Sequence, residues 1–228
     1  MRGVVAALMG VAFCEPALAG PWTRAGGEGY GRAAVASERV AGIDAVRFDG
    51  YGEYGLSDRW TLTVKAEQVR FPDNEDFTAE GFRATVRRGL YSRDGFVVAA
   101  EFGAVHGAAI GGVRGCDRLG GEARVSAGLS GSWVGTDWYV FADAASRVHA
   151  EGCWRDRLEV GGAQEIAPNI YLTNQFWFER GSENARSDKV ETGILWRVGE
   201  IDLSLAWREE LSGRFEESGA VIAIARRF

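Results

Sequence analysis

The sequence predicts an all-β fold: a closed antiparallel barrel of about twelve strands that crosses a membrane. Three observations predict it. Apolar and polar side chains alternate with period two along most of the chain, and a strand sends successive side chains to opposite faces. Many of the alternating runs reach ten residues or more, whereas ordinary strands average about five or six and a tilted strand needs roughly 9–11 to cross a bilayer. The connections also alternate, tight turns with longer polar or glycine-rich segments.

The chain opens differently. Met1-Arg2 gives a short positive start, residues 3–13 are uncharged and mostly apolar, and Ala17-Leu18-Ala19 is a small-x-small site followed by Gly20-Pro21. This predicts a Sec-type signal peptide over residues 1–19, cleaved on export. Cys14 follows Phe13, too large for a lipidation site. Residues 20–228 are then one barrel, with Cys116 and Cys153 as its cysteines in an oxidising compartment.

Strands are expected near 28–40, 45–56, 59–71, 77–91, 95–106, 119–132, 137–149, 156–166, 169–180, 188–198, 201–210 and 216–228. In the second, Val46, Phe48, Gly50, Gly52, Tyr54 and Leu56 alternate with Arg47, Asp49, Tyr51 and Glu53. In the third, Trp60, Leu62, Val64 and Ala66 alternate with Thr61, Thr63, Lys65 and Glu67. The fourth carries Arg83 and Arg87 on its polar parity but places Arg88 on the apolar one. The fifth sets Phe96, Val98, Ala100 and Phe102 against Glu101, and the sixth sets Ala123, Val125, Ala127 and Leu129 against Glu122 and Arg124. The seventh sets Trp138, Val140, Ala142 and Ala144 against Tyr139, Phe141, Asp143 and Arg147. The eighth, with Glu159, and the ninth, with Glu179, are less regular, because Gln164 and Asn174 fall on their apolar parities. The tenth sets Val190, Thr192, Ile194 and Trp196 against Lys189, Glu191 and Arg197; the eleventh sets Ile201, Leu203, Leu205 and Trp207 against Asp202 and Arg208.

Tight turns fall at 57–59, 92–94, 135–136, 168–169 and 199–200, and longer connections at 72–76, 107–118, 150–155, 181–187 and 211–215, while the first, around 41–44, is short. Aromatic residues gather beside the tight turns: Tyr54 and Trp60, Tyr91 and Phe96, Trp133 and Trp138, Tyr171, Trp196, and the terminal Phe228. Rings collected at one strand end suit an interfacial girdle.

Composition narrows the function classes. With 26 Lys+Arg against 32 Asp+Glu and a net charge of -6, the chain lacks the basic footprint of a nucleic-acid binder, so no nucleic-acid partner is expected. Three cysteines exclude a disulfide-dense scaffold and a cysteine-rich zinc module. Asp73, Glu75 and Asp76 form an acidic loop without the glycine and terminal glutamate of a calcium hand; no metal and no cofactor is expected.

The chain ends at Phe228, with Arg226, Ile224, Ile222 and Ala220 at alternate positions before it. With the leader and the strand count, this resembles the Gram-negative outer-membrane β-barrel proteins. The resemblance implies that the barrel-assembly machinery reads the last strand, with Phe228 as the assembly signal, and that outer-membrane lipid surrounds the apolar parity. Arg226 departs from the usual apolar choice; at a membrane edge it can snorkel. The charged parity then faces the lumen, and the lumen-lining set includes Arg47, Glu53, Lys65, Arg83, Arg87, Glu101, Glu122, Arg124, Asp143, Arg147, Glu159, Lys189 and Glu191. Two readings of that lining stand side by side. One is a narrow channel for small polar solutes; the other is a structural or surface-interaction barrel closed by paired charges. A barrel hydrolase is a third, but His106 and His149 lack an evident nucleophile. Cys116 and Cys153 fall in the loops after the fifth and seventh strands and are expected to pair. A soluble lipocalin-like barrel or a β-sandwich also alternates, but would hold its apolar parity inside.

Overall fold

The computed structural model describes residues 20–108 and 118–228. The predicted leader, residues 1–19, and Cys116 lie outside the described residues. Twelve strands follow one another: β1 (Gly29–Val40), β2 (Ile43–Ser57), β3 (Trp60–Arg70), β4 (Ala79–Arg93), β5 (Phe96–Gly107), β6 (Gly120–Trp133), β7 (Thr136–His149), β8 (Trp154–Ala167), β9 (Ile170–Gly181), β10 (Arg186–Val198), β11 (Ile201–Gly213) and β12 (Ser218–Arg227). A short 3₁₀ turn, Glu75–Phe77, lies between β3 and β4. Each strand pairs antiparallel with its sequence neighbours, and β1 pairs with β12 to close the barrel.

The seam closes at the last residue. Gly29 N–H donates to the Phe228 carbonyl at 2.6 Å, and Phe228 N–H donates to the Gly29 carbonyl at 3.0 Å. The Phe228 ring lies over Gly29, where a Cβ would come within 2.3 Å of it; only glycine permits that approach.

The faces are sorted as a membrane barrel requires. Leu205 is 60% exposed and Ile222 65%, while inward positions on the same wall such as Asp202 and Val221 are buried. Val98 is half-buried, on the opposite parity from buried Ala99 and Glu101. The apolar parity is thus the outer wall, which rules out the soluble alternatives. Polar residues on that wall have local partners. Thr192 donates to Asn174 Oδ1 at 2.9 Å on the neighbouring strand, and the Arg88 guanidinium lies 5.2 Å from the Trp60 ring centroid, a cation–π contact.

Tight turns gather at one end, here called the turn end. Asp94-Gly95 and Val134-Gly135 both have positive φ at each residue, the geometry that matches the twist of paired strands. Ala41-Gly42, at the opposite or loop end, has the same form. Three differences from the expected layout stand out. The loop-end connections at 182–185 and 214–217 are shorter than the sequence pattern suggests. β11 extends to Gly213 because the outer end of β10 supplies ladder partners, Ser187 for Gly213 and Asp188 for Ser212, across a register shift. Tyr171, expected in the girdle, is buried in an inward cluster with Tyr139, Phe141, Ala163 and Leu195; it follows the parity of its strand rather than the preference of its ring for an interface. Tyr54, Tyr91, Trp133, Trp196 and Phe228 are exposed at the turn end.

Candidate functional site

With lipid-compatible side chains outside, the inward parities place charges against one another. A buried charge is costly unless paired and hydrogen-bonded, and these are. Near the turn end, Arg87 reaches Glu53 at 2.8 Å and Glu101 at 3.0 Å, and the Tyr51 hydroxyl donates to Glu53 at 2.6 Å. Around Glu122, Arg83 lies at 3.2 Å, Arg124 at 3.1 Å, and Arg147 pairs with the second oxygen; Arg124 also meets Asp143 at 3.0 Å. Toward the loop end, Arg47 pairs with Glu38 at 2.8 Å, with Glu217 at 3.2 Å and with Glu67. Lys65 bridges Asp49 and Glu67, both at 2.9 Å. Lys189 pairs with Glu217, and Arg208 with Glu191 at 2.7 Å. Glu159 pairs with Arg157 at 2.8 Å. Glu217, outside the strands, is buried, which works to raise its carboxyl pKa; Arg47 and Lys189 outweigh this and hold it below the usual carboxylate range.

The sequence-predicted lumen residues thus sit on the inward parities in a set of ion-pair clusters, centred on Arg87, on Glu122, on Arg47 with Lys65, and on Glu179 with Arg157. Sequence reasoning missed several members of that set: Glu38, Arg155, Arg157 and Glu217. Arg155 and Arg157 share Glu179 at 3.0 and 3.6 Å. They lie on the weakly alternating eighth strand, and Glu217 lies on a connection, where period two gives no direction. Among the described residues no group of three His, Cys, Asp or Glu could hold a metal.

The largest omission is the segment before β1. Residues 20–28 have no alternation, so the pattern gives them no place. They turn into the barrel at the turn end. Thr23 Oγ1 donates to the Asp58 carbonyl at 3.0 Å, and Arg24 N–H donates to Thr61 Oγ1 at 2.8 Å. Arg24 Nε meets Glu53 at 2.6 Å, and Arg87 donates to the Trp22 carbonyl at 3.0 Å. Trp22 packs edge-on against Tyr139, ring centroids 5.7 Å apart, and Pro21 is fully buried. Gly128 makes room: a Cβ there would meet Pro21 at 2.6 Å and the Trp22 ring at 2.7 Å. The segment therefore touches the walls from β2 and β3 to β6 and β7 and covers the lumen between them.

Two hollows remain. One, of about 820 Å³, lies on the outer wall beside Val35, Phe48, Phe82, Leu203, Ile222 and Ile224, where acyl chains would pack. The other, of about 150 Å³, lies inside the loop-end half of the barrel among Arg47, Arg83, Arg157, Trp177, Glu179 and Arg208. His149 Nδ1 lies 2.8 Å from the Arg118 carbonyl; His106 is exposed on the outer wall.

Solved structures similar to this chain are outer-membrane porins and channels. The NanC porin aligns with a TM-score of 0.62 at 8% identity, covering 85% of this chain and 98% of that one. The KdgM porin aligns with a TM-score of 0.56 at 6% identity, covering 86% and 99%. An outer-membrane channel from Pseudomonas putida F1 aligns with a TM-score of 0.56 at 12% identity, covering 91% and 98%. The fold is that of an outer-membrane β-barrel. No protein-family profile matches the chain, and no curated protein matches it. At these identities the likeness is one of architecture.

Proposed function

We propose that this outer-membrane barrel is a narrow channel for small polar solutes, shut in the described conformation at its turn end by residues 20–28. The observation that carries the reading is the inserted segment. A barrel needed only as a wall could be filled by strand side chains alone, whereas here a separate length of chain, fixed through Trp22 and Arg24, enters one mouth and packs against β2, β3, β4, β6 and β7. The charged lining and the cavity beyond it suit a passage for hydrated solutes. The turn end is taken as periplasmic, the usual side for short turns.

The rest of the biological setting is part of the same proposal. Residues 1–19 direct Sec export and are removed, and the assembly machinery reads the strand ending at Phe228. No catalytic role is part of the proposal: His149 Nδ1 lies against the Arg118 carbonyl, and His106 is exposed on the outer wall.

A second reading, a closed structural barrel, is favoured by one observation: ion pairs link the inward walls over much of the lumen, and Arg147 and Glu122 are almost wholly buried. Planar-bilayer recording separates the two. For the channel, a protein lacking residues 20–25 shows discrete conductance steps, with the full-length protein opening rarely. Silence from both proteins, each correctly folded, establishes the structural reading instead.

A further inference from the structure

We infer that the inner cavity at the loop end is a binding site for a small oxyanion, a carboxylate or phosphate group. The cavity of about 150 Å³ is bounded by eight cationic side chains and three carboxylates. That imbalance is local, because carboxylates elsewhere in the lumen hold the cations from behind: Glu122 holds Arg83, Glu159 holds Arg157, and Glu191 holds Arg208.

The hydrogen-bond inventory points the same way. Four buried N–H donors on cavity-lining residues have no acceptor among the described residues: Nε of Arg83, Arg155 and Arg157, and Nε1 of Trp177. Arg83 is 6% exposed and Trp177 9%. Buried donors normally find acceptors. A ligand that satisfies several at once must be rich in acceptor oxygens, and guanidinium groups match the oxygens of a carboxylate or phosphate. Trp177 is held in place by Arg157 and Arg208, whose guanidinium carbons lie 5.6 and 5.5 Å from its ring centroid. Those contacts keep the indole and the two cations as one preorganised wall, which lowers the ordering cost of binding.

Binding as such is independent of conduction; that the oxyanion is also the transported solute rests on the channel reading. Calorimetric titration of the full-length protein in detergent, at low salt, tests the site with succinate, inorganic phosphate and the uncharged 1,4-butanediol. Succinate or phosphate should bind and butanediol should not; which anion binds more tightly distinguishes a carboxylate from a phosphate site. Arg157→Gln, confirmed folded by heat-modifiable gel mobility, should weaken binding at least about tenfold, the usual size of a lost charge-assisted hydrogen bond. Glu179→Gln should tighten it, because this carboxylate competes for Arg155 and Arg157; a merely structural role for these residues would not. Absence of anion binding to the wild type, or equal binding of butanediol, overturns the site even where conductance steps are seen. Anion binding without conductance upholds the site and removes the channel reading.

Discussion

Glu122 is where the inward charges are most tightly coupled, since Arg83, Arg124 and Arg147 all converge on it. Removing the anion leaves three cations facing one another inside the wall. Glu122→Gln is expected to destabilise the barrel by about 3–5 kcal/mol, the usual cost of breaking a buried pair, read as a lowered urea midpoint of the folded, heat-modifiable form. Gly128→Val acts on the inserted segment instead. Its side chain would occupy the space of Pro21 and Trp22, so the expected outcome is displacement of the segment and more frequent conductance than in the wild type, with the barrel itself intact. Glu217 supplies a pH dependence. Its folded-state carboxyl is depressed, so its contribution is present above the unfolded value, about 4.3, and is lost as pH falls through the folded one. Stability should therefore drop on acidification below about pH 5, and less steeply in Glu217→Gln, as measured by denaturation midpoints across the pH range.

Among the elements, legibility followed periodicity. β7 was readable almost to the residue because Tyr139, Phe141, Asp143, Ala145 and Arg147 alternate without interruption with outward neighbours. The far end of β11 was not, since Glu209 and Glu210 break the alternation and the strand continues to Gly213 only because β10 offers partners across a register shift. Tyr171 was misplaced because ring type was weighed over strand parity. Residues 20–28 were beyond reach for a plainer reason: their position is set by Gly128, Thr61 and Glu53, tens of residues away, and by no local pattern. The loop cysteines belong to this scale as well. Cys153 closes the connection between β7 and β8, where the His149 N–H donates to its carbonyl at 2.8 Å. Its proposed partner is Cys116. A bridge between the two predicts a gel-mobility shift of the heat-denatured protein on reduction; full thiol labelling without reductant would contradict it.

For the whole molecule, the distribution of solvents does the organising. An apolar outer wall forces the charges inward, inward charges must pair, and pairing draws neighbouring walls together through arginine and carboxylate. The lumen that results is narrow even though twelve strands could enclose more space. Among the described residues it leaves a cavity near the loop end and, at the turn end, a mouth that residues 20–28 enter. The candidate lining was legible in the sequence because parity alone sorts the two faces. What parity could not show was which inward charges converge, and on what.

The most direct test of this account is where its outer wall sits. A nitroxide attached at Leu205→Cys, with the native cysteines replaced by serine and the protein reconstituted in lipid vesicles, reports its surroundings through relaxation by oxygen and by a water-soluble nickel chelate. The account predicts strong relaxation by oxygen and little by nickel, as for a probe among acyl chains. Strong relaxation by nickel with little by oxygen would place that wall in water and contradict it.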